Sequence, residues 1–407
     1  MTAVHVVLPN DIDDPATPSG GNTYDRRICQ GLAASGWSVH EHAVRGAWPR
    51  PSGPERADLA RVLSAIPDNA VVLLDGLVAS AVPDVLVPQA RRLHLTVLVH
   101  MPLGDTGRAQ PEPGFGGGEH APSYTGRAQP EPGFGGGEHA PSYTGRAQPE
   151  PGFGGGEHAP SYAAEGEALA AARAVVTTSA WTRRRLLDLY ALPADLIHVA
   201  TPGVDPAPLA PGSEAGSELL CVAAVTPQKG HDLLTQALAT VADLPWNCVC
   251  VGSLSRDRDF VERLRRQTRE YGLDGRVRFV GPRTGDRLDA TYAAADLLVL
   301  ASRGETYGMV VTEALARGIP VLATAGSGLP EALGQAPDGS LPGMLVEPGE
   351  PGALAGALRR WLGDADLRQQ LRRSAHGRRT TLTGWSTTSA LVSRFLHRVP
   401  ANSGGPA

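Results

Sequence analysis

Short apolar runs separated by amphipathic stretches recur along this chain. Val4-His5-Val6-Val7-Leu8 comes first, and similar runs return at residues 37–42, 71–74, 95–99, 174–178 and 197–199. Runs that are apolar throughout, rather than alternating, predict strands buried on both faces. Between them apolar residues fall at helical spacing. Ile28 and Leu32 do so in a helix predicted over 24–35 that Gly36 ends, and helices are also predicted at 163–173 and 181–190. After a stretch rich in Pro, Gly and Ser the alternation restarts. Strands are predicted at 219–225, 248–252, 277–280, 296–300, 321–323 and 344–346, and helices at 231–241, 260–271, 287–294, 310–317 and 354–362. Strand–helix alternation predicts a parallel sheet covered by helices, and the restart predicts two of them.

The expected organisation is a first α/β domain over 1–203, a linker over 204–217 and a second α/β domain over 218–380. A last helix within 381–399 is expected to pack back toward the first domain, ahead of a loose tail at 400–407. One segment breaks the pattern. TGRAQPEPGFGGGEHAPSY occurs three times without a mismatch between Thr106 and Tyr162. Each 19-residue copy holds one Phe and one Tyr as its only large apolar residues, too little to offset the entropy of ordering. A flexible insertion of tandem origin at 106–162 is the expectation.

Composition narrows the class. A length of 407 residues suits two domains, and 42% hydrophobic content supports real cores. A net charge of −5 argues against a general nucleic-acid binder and gives no support for peripheral membrane contact through Arg183-Arg184-Arg185. No run approaches the roughly 18 apolar residues of a membrane span, and the start lacks a basic region followed by an apolar one. Four cysteines make no disulfide framework, and Cys248 and Cys250 read as small core residues. A cytoplasmic protein is expected.

Candidate chemistry centres on residues 296–320, which read as strand, loop and helix. Glu305 lies in the loop, Glu313 in the helix, and Gly308-Met309-Val310 where the helix begins. A helix N-terminus presents unpaired amides and about half a positive charge, suited to anionic or hydroxyl-rich ligands. Two carboxylates there either accept from such hydroxyls or merely cap and solvate the helix. Lys229, in Thr226-Pro227-Gln228-Lys229-Gly230 just before a helix, is placed to meet a phosphate. Gly20-Gly21 join the first strand to its helix, where close backbone approach to phosphate needs small residues. His100 follows the strand LTVLV, at the end that faces the ligand crevice in such sheets. Gly326-Ser327-Gly328-Leu329-Pro330-Glu331 is a further glycine-rich loop opening a helix.

The element from Glu305 to Glu313, continuing EALARGIPV, resembles the E-x7-E signature of retaining GT-B glycosyltransferases of family 4. The resemblance extends to the glycine pair, HMPL, TPGVD, VTPQKG and GSGLPEAL. It implies two Rossmann-like domains facing a crevice, and transfer of a hexosyl group from a UDP- or GDP-linked sugar to a small-molecule, lipid or glycan acceptor. It also implies retention by front-face attack. Glu313 would bind ribose hydroxyls and Glu305 the sugar. Amides at Gly308, Met309 and Val310 would serve sugar and phosphate, with Tyr307 among the donor-binding residues. Lys229 would hold the diphosphate, Gly20 and Gly21 would approach from the other domain, and His100 would lie near the reacting sugar.

One departure stands out: Ala224 occupies the place where the family has an arginine five residues before the lysine. Arg303 is the candidate replacement. No cofactor or metal is expected, because Asp257-Arg258-Asp259 has no supporting cluster. The alternatives are another GT-B reaction, such as epimerisation or phosphorolysis, and a degenerate nucleotide-sugar-binding scaffold.

Overall fold

The computed structural model describes residues 2–105 and 162–401, and they form two parallel sheets of six strands each. The first comprises β1 (Ala3–Pro9), β2 (Ser38–Val44), β3 (Val71–Asp75), β4 (His94–Val99), β5 (Ala174–Thr177) and β6 (Ile197–Val199). Its helices are α1 (Gly20–Ala34), α2 (Gly53–Ala65), α3 (Gly76–Ala79), α4 (Pro83–Gln89), α5 (Tyr162–Ala171) and α6 (Ala180–Tyr190). The strand order is β2-β1-β3-β4-β5-β6, so the chain reverses direction across the sheet beside β1. Alternation sorts the side chains of each strand between two faces. Val4, Val6, Leu8, Val71 and Leu73 enter one apolar cluster, and Val7, Val72 and Leu74 another.

The second sheet has the order β12-β11-β10-β7-β8-β9. Its strands are β7 (Glu218–Val222), β8 (Asn247–Val251), β9 (Val277–Phe279), β10 (Leu297–Leu300), β11 (Val321–Thr324) and β12 (Gly343–Val346). Helices α7 (His231–Thr240), α8 (Arg258–Glu270), α9 (Gly285–Ala293), α10 (Met309–Ala316), α11 (Leu329–Leu333), α12 (Pro351–Gly363) and α13 (Ala365–Arg379) accompany it. Here the order reverses between β7 and β10. In open sheets of this kind ligands bind beyond the carboxyl ends of the strands at such a reversal.

Helix α14 (Trp385–Ala401) returns to the first domain, where its Val392 and Leu396 are fully buried against α1 and the first sheet. It takes in the first residues of the stretch read as a loose tail, and 402–407 lie outside the described residues. The triplicated segment also lies outside them, apart from Tyr162 at the start of α5. Helix α13 has no counterpart among the sequence expectations. Among the described residues no helix is long and apolar enough to cross a membrane.

Candidate functional site

The first wall of the crevice lies at the reversal beside β1. Ser19 accepts from the Asn22 amide at 3.1 Å, so this hydroxyl starts α1 earlier than the periodicity suggested. Gly20 and Gly21 therefore form the first turn of the helix rather than a loop before it. His100 stands just after β4, against that turn: a Cβ on Gly21 would come within 3.2 Å of the imidazole. Its Nε2 lies 2.7 Å from Asp25 Oδ1 and 3.6 Å from Asp75 Oδ2, both carboxylates being buried. Tyr24 sets its ring edge-on to His100 at 5.4 Å, and its hydroxyl donates to the Ala200 carbonyl at 2.8 Å.

The electrostatics of this group follow from its burial. Burial disfavours the charged imidazole, but the Asp25 carboxylate beside it, with Asp75 behind, holds His100 up at about 8. Burial and the Asp25 charge push the Asp75 carboxyl to about 8, against the pull of His100 and the Leu77 amide. His100 and Asp75 thus hold protons more firmly than free side chains do. Sequence reading singled out His100 and missed both of its partners.

The second wall is built by the loops that follow β7 and β10, which are neighbours in the sheet. After β7 a 3-10 turn over Pro227–Lys229 ends at Gly230, whose φ is +66°. A Cβ there would meet the Ala301 carbonyl oxygen at 1.9 Å, so only glycine lets the two loops touch. That contact brings Lys229 Nζ to 2.6 Å from Glu305 Oε1, and Ser302 Oγ donates to the same oxygen at 3.1 Å. Gly308 caps α10, which opens with Met309 and Val310. Further along, Glu313 is half-buried and accepts from the Tyr292 hydroxyl at 2.8 Å. Burial raises the Glu313 carboxyl, and this hydrogen bond and Arg317 oppose the rise.

The two walls meet at Met309. It packs against the second core and against the cluster that holds α1 and α14, and a Cβ on Gly20 would lie 3.5 Å from its sulfur. The fold therefore groups Gly20, Gly21, His100 and Met309 on one side, and pairs Lys229 with Glu305 on the other. Two further residues that sequence placed with the donor have their own neighbours in the fold. Arg303 forms a two-pronged pair with Asp232 at 2.7 and 2.9 Å and donates to the Pro227 carbonyl, which ties the β10 loop to α7. Tyr307 is buried and lines a cavity of about 230 Å³ beside the linkers, with Thr201, Glu331 and Arg378; burial raises its hydroxyl to about 12.

Among the described residues, two groups bring ligand-type atoms within 4.8 Å of one another. One is Asp25, Asp75 and His100. The other is Cys221, His231 and Cys250, buried in the second core, where Cys221 Sγ lies 3.6 Å from His231 Nε2. That imidazole leaves its Nδ1 without a partner, whereas metal-bound histidines donate through their second nitrogen. Cys250 thus has a polar neighbourhood that its alternation along a strand did not reveal.

Residues 213–378 match the family model described as Glycosyl transferases group 1. The chain is 35% identical over 230 residues to a D-inositol 3-phosphate glycosyltransferase of Acidothermus cellulolyticus, covering 52% of this chain and 50% of that protein. A protein of the same name from Frankia alni is 32% identical over 248 residues, covering 56% and 60%. The chain spans about half the length of the relatives it matches. Among solved structures, a sucrose-phosphate synthase from Thermosynechococcus elongatus superposes with a TM-score of 0.70 at 20% identity, covering 99% of this chain and 100% of that one. Anabaena HepE in complex with UDP-glucose gives 0.67 at 16% identity, covering 98% and 100%. The chain has the GT-B fold: two Rossmann-like domains, each built on a parallel sheet.

Proposed function

We propose that the chain transfers a hexosyl group from a UDP- or GDP-linked sugar, held by the second domain, to an acceptor on the first, with retention of configuration. The observation that carries this reading is the Lys229–Glu305 pair. It lies at the strand-order reversal of the second sheet, inside the segment that matches the glycosyltransferase family. A cation and a carboxylate 2.6 Å apart offer a diphosphate and a sugar their complementary partners at neighbouring points. Glu313 takes the ribose hydroxyls, and the amides of Gly308, Met309 and Val310 receive sugar and phosphate. Gly20 and Gly21 close the diphosphate from the opposite wall, with His100 beside the reacting sugar.

In the reaction the bond from the anomeric carbon to the diphosphate oxygen breaks, and a bond to the acceptor oxygen forms on the same face. The acceptor proton passes to the departing phosphate oxygen. The transition state carries positive charge on the sugar and growing negative charge on the diphosphate. Lys229 and the amides at the start of α10 neutralise the latter, so catalysis comes from positioning and fixed charge. No metal or other cofactor is assigned a part. The reading sets the reaction in the cytoplasm, where the four cysteines, all free and buried, stay reduced.

D-inositol 3-phosphate is the first acceptor to try, because the relatives in hand carry it in their names. Nucleotide release from UDP- and GDP-linked hexoses, with that acceptor and others, tests the reading. Wild type should release nucleotide and form glycoside, and Lys229→Ala and Glu305→Ala should lose roughly 10- to 100-fold, as expected for a lost charge-assisted contact. Transfer at wild-type rate by both variants would overturn the assignment.

A further inference from the structure

The glycine-rich loop from Gly326 to Glu331 has no part in the proposed chemistry, yet its last residue reaches the other domain. Glu331, in α11, accepts from the Ala180 amide through Oε1 at 3.0 Å and from the Trp181 amide through Oε2 at 3.2 Å. These are the first two residues of α6 in the first domain. The next amide, of Thr182, donates to the Ser179 side chain at 2.9 Å, and that of Arg183 to the Ser179 carbonyl. The four amides that open α6 are therefore shared between a residue of its own domain and a carboxylate of the other.

At its other end the same loop holds the catalytic wall. Gly328 donates its amide to the Glu305 carbonyl at 2.6 Å. A Cβ on Gly328 would lie 2.1 Å from the Thr306 carbonyl oxygen, so loop and wall are in contact. A short path of backbone and side-chain bonds thus runs from α6, through Glu331 and Gly328, to Glu305.

We propose that Glu331 is a positioning residue: its carboxylate, seated on the N-terminus of α6, fixes the Glu305 loop relative to the first domain and so sets the span across which the sugar moves. This rests on the reading of the crevice as the site of transfer. The electrostatics favour the contact, since a carboxylate meets the positive end of the helix dipole as well as two donors. Its place is the rear of the crevice beside the linkers, where Glu331 shares the cavity lining with Thr201 and Thr383. At the mouth the halves touch differently, through Met309 against Gly20 and through Arg256 donating to the Thr17 carbonyl at 3.1 Å. A strut at the rear lets the mouth vary while the loop of Glu305 keeps its place.

Two substitutions remove this contact from opposite ends. Glu331→Ala removes both acceptor oxygens and the charge. Ala180→Pro removes the facing amide at the first helical position, where proline is well tolerated, and Ser179 already has the extended backbone (φ −154°, ψ 159°) needed before proline. Fluorophores on Arg61→Cys and Arg266→Cys, exposed positions in α2 and α8, report the distance between domains, because the native cysteines are all buried. Each substitution should broaden that distance distribution and lower kcat by roughly 10- to 100-fold, the loss expected from misplacing reacting groups. Donor affinity should stay at the wild-type value. The double variant should do little more harm than either single one, because both break the same contact.

An unchanged distance distribution in both single variants, or effects that add in the double variant, would overturn the strut. The distance measurement needs no activity, so it judges the strut even if Lys229→Ala and Glu305→Ala transfer sugar normally and the transfer reading fails. Full rescue of the Glu331→Ala distance distribution by Gln at the same position would show that charge has no part in it.

Discussion

Asp25 lifts the His100 equilibrium and, after burial, adds to the rise at Asp75, so replacing it by asparagine should change how stability depends on pH. In the folded protein His100 holds its proton up to about 8, against 6.5 for the free side chain. The resulting stabilisation is fully present below pH 6.5 and is lost as pH rises through 8. A displacement of that size corresponds to about 2 kcal/mol, and the imidazole side chain is only 16% exposed, so solvent screening removes little of it. Asp75 acts in the same direction. Its carboxyl, raised from 3.8 to about 8, keeps a proton that the unfolded chain would release, so stability again falls as pH rises through this range. Asp25→Asn removes the charge that lifts His100 and part of what lifts Asp75, leaving the effect of burial, while keeping the shape of the side chain. Thermal unfolding between pH 6.5 and 9 should show the wild-type Tm falling by at least roughly 4–8 °C more than that of the variant, the part that corresponds to about 2 kcal/mol from His100 alone in a domain of this size. Parallel slopes for the two proteins would refute the coupling of these three residues.

Two further substitutions probe the frame around the site. Leu396→Ala should cost about 2–5 kcal/mol in chemical denaturation, because Leu396 is fully buried between α14 and the first domain. The loss should appear in the transition of the first domain. Gly230→Ala places a methyl group against the Ala301 carbonyl at a residue with φ of +66°; it should cost more than about 1 kcal/mol and weaken donor binding by moving Lys229 away from Glu305.

The strand–helix alternation was legible because parallel strands buried on both faces, such as Leu297–Leu300, are apolar throughout and leave a strong mark on the sequence. Helix α13 left a weaker one. Asp364 caps it by accepting from the Leu367 amide, and Leu371 and Ala375 supply its buried spacing, but arginines and glutamines fill most other positions. Within the site, the pairing of Lys229 with Glu305 depends on two loops 76 residues apart in sequence, joined by a contact that only the fold creates.

Asp25 and Asp75 did carry a signal. Asp25 sits three and seven residues before Ile28 and Leu32, on the apolar face of α1, and Asp75 ends a run of four apolar residues. A charge in such a position is costly unless it is partnered, and His100 supplies the partner. Arg303 has a partner that its place in the sequence did not reveal. Closeness in sequence to the Glu305 loop suggested a phosphate ligand, but Asp232, at the start of α7, lies within reach of both terminal nitrogens of its guanidinium.

Titration of a UDP- or GDP-linked hexose into wild type, Lys229→Met and Arg303→Met tests the proposed donor wall most directly. Lys229→Met should weaken binding tenfold or more, the equivalent of about 1.5–3 kcal/mol for a lost charge-assisted hydrogen bond. Arg303→Met should bind close to wild type, because that guanidinium is occupied by Asp232. Unchanged affinity in Lys229→Met, or an equal loss in Arg303→Met, would contradict the account.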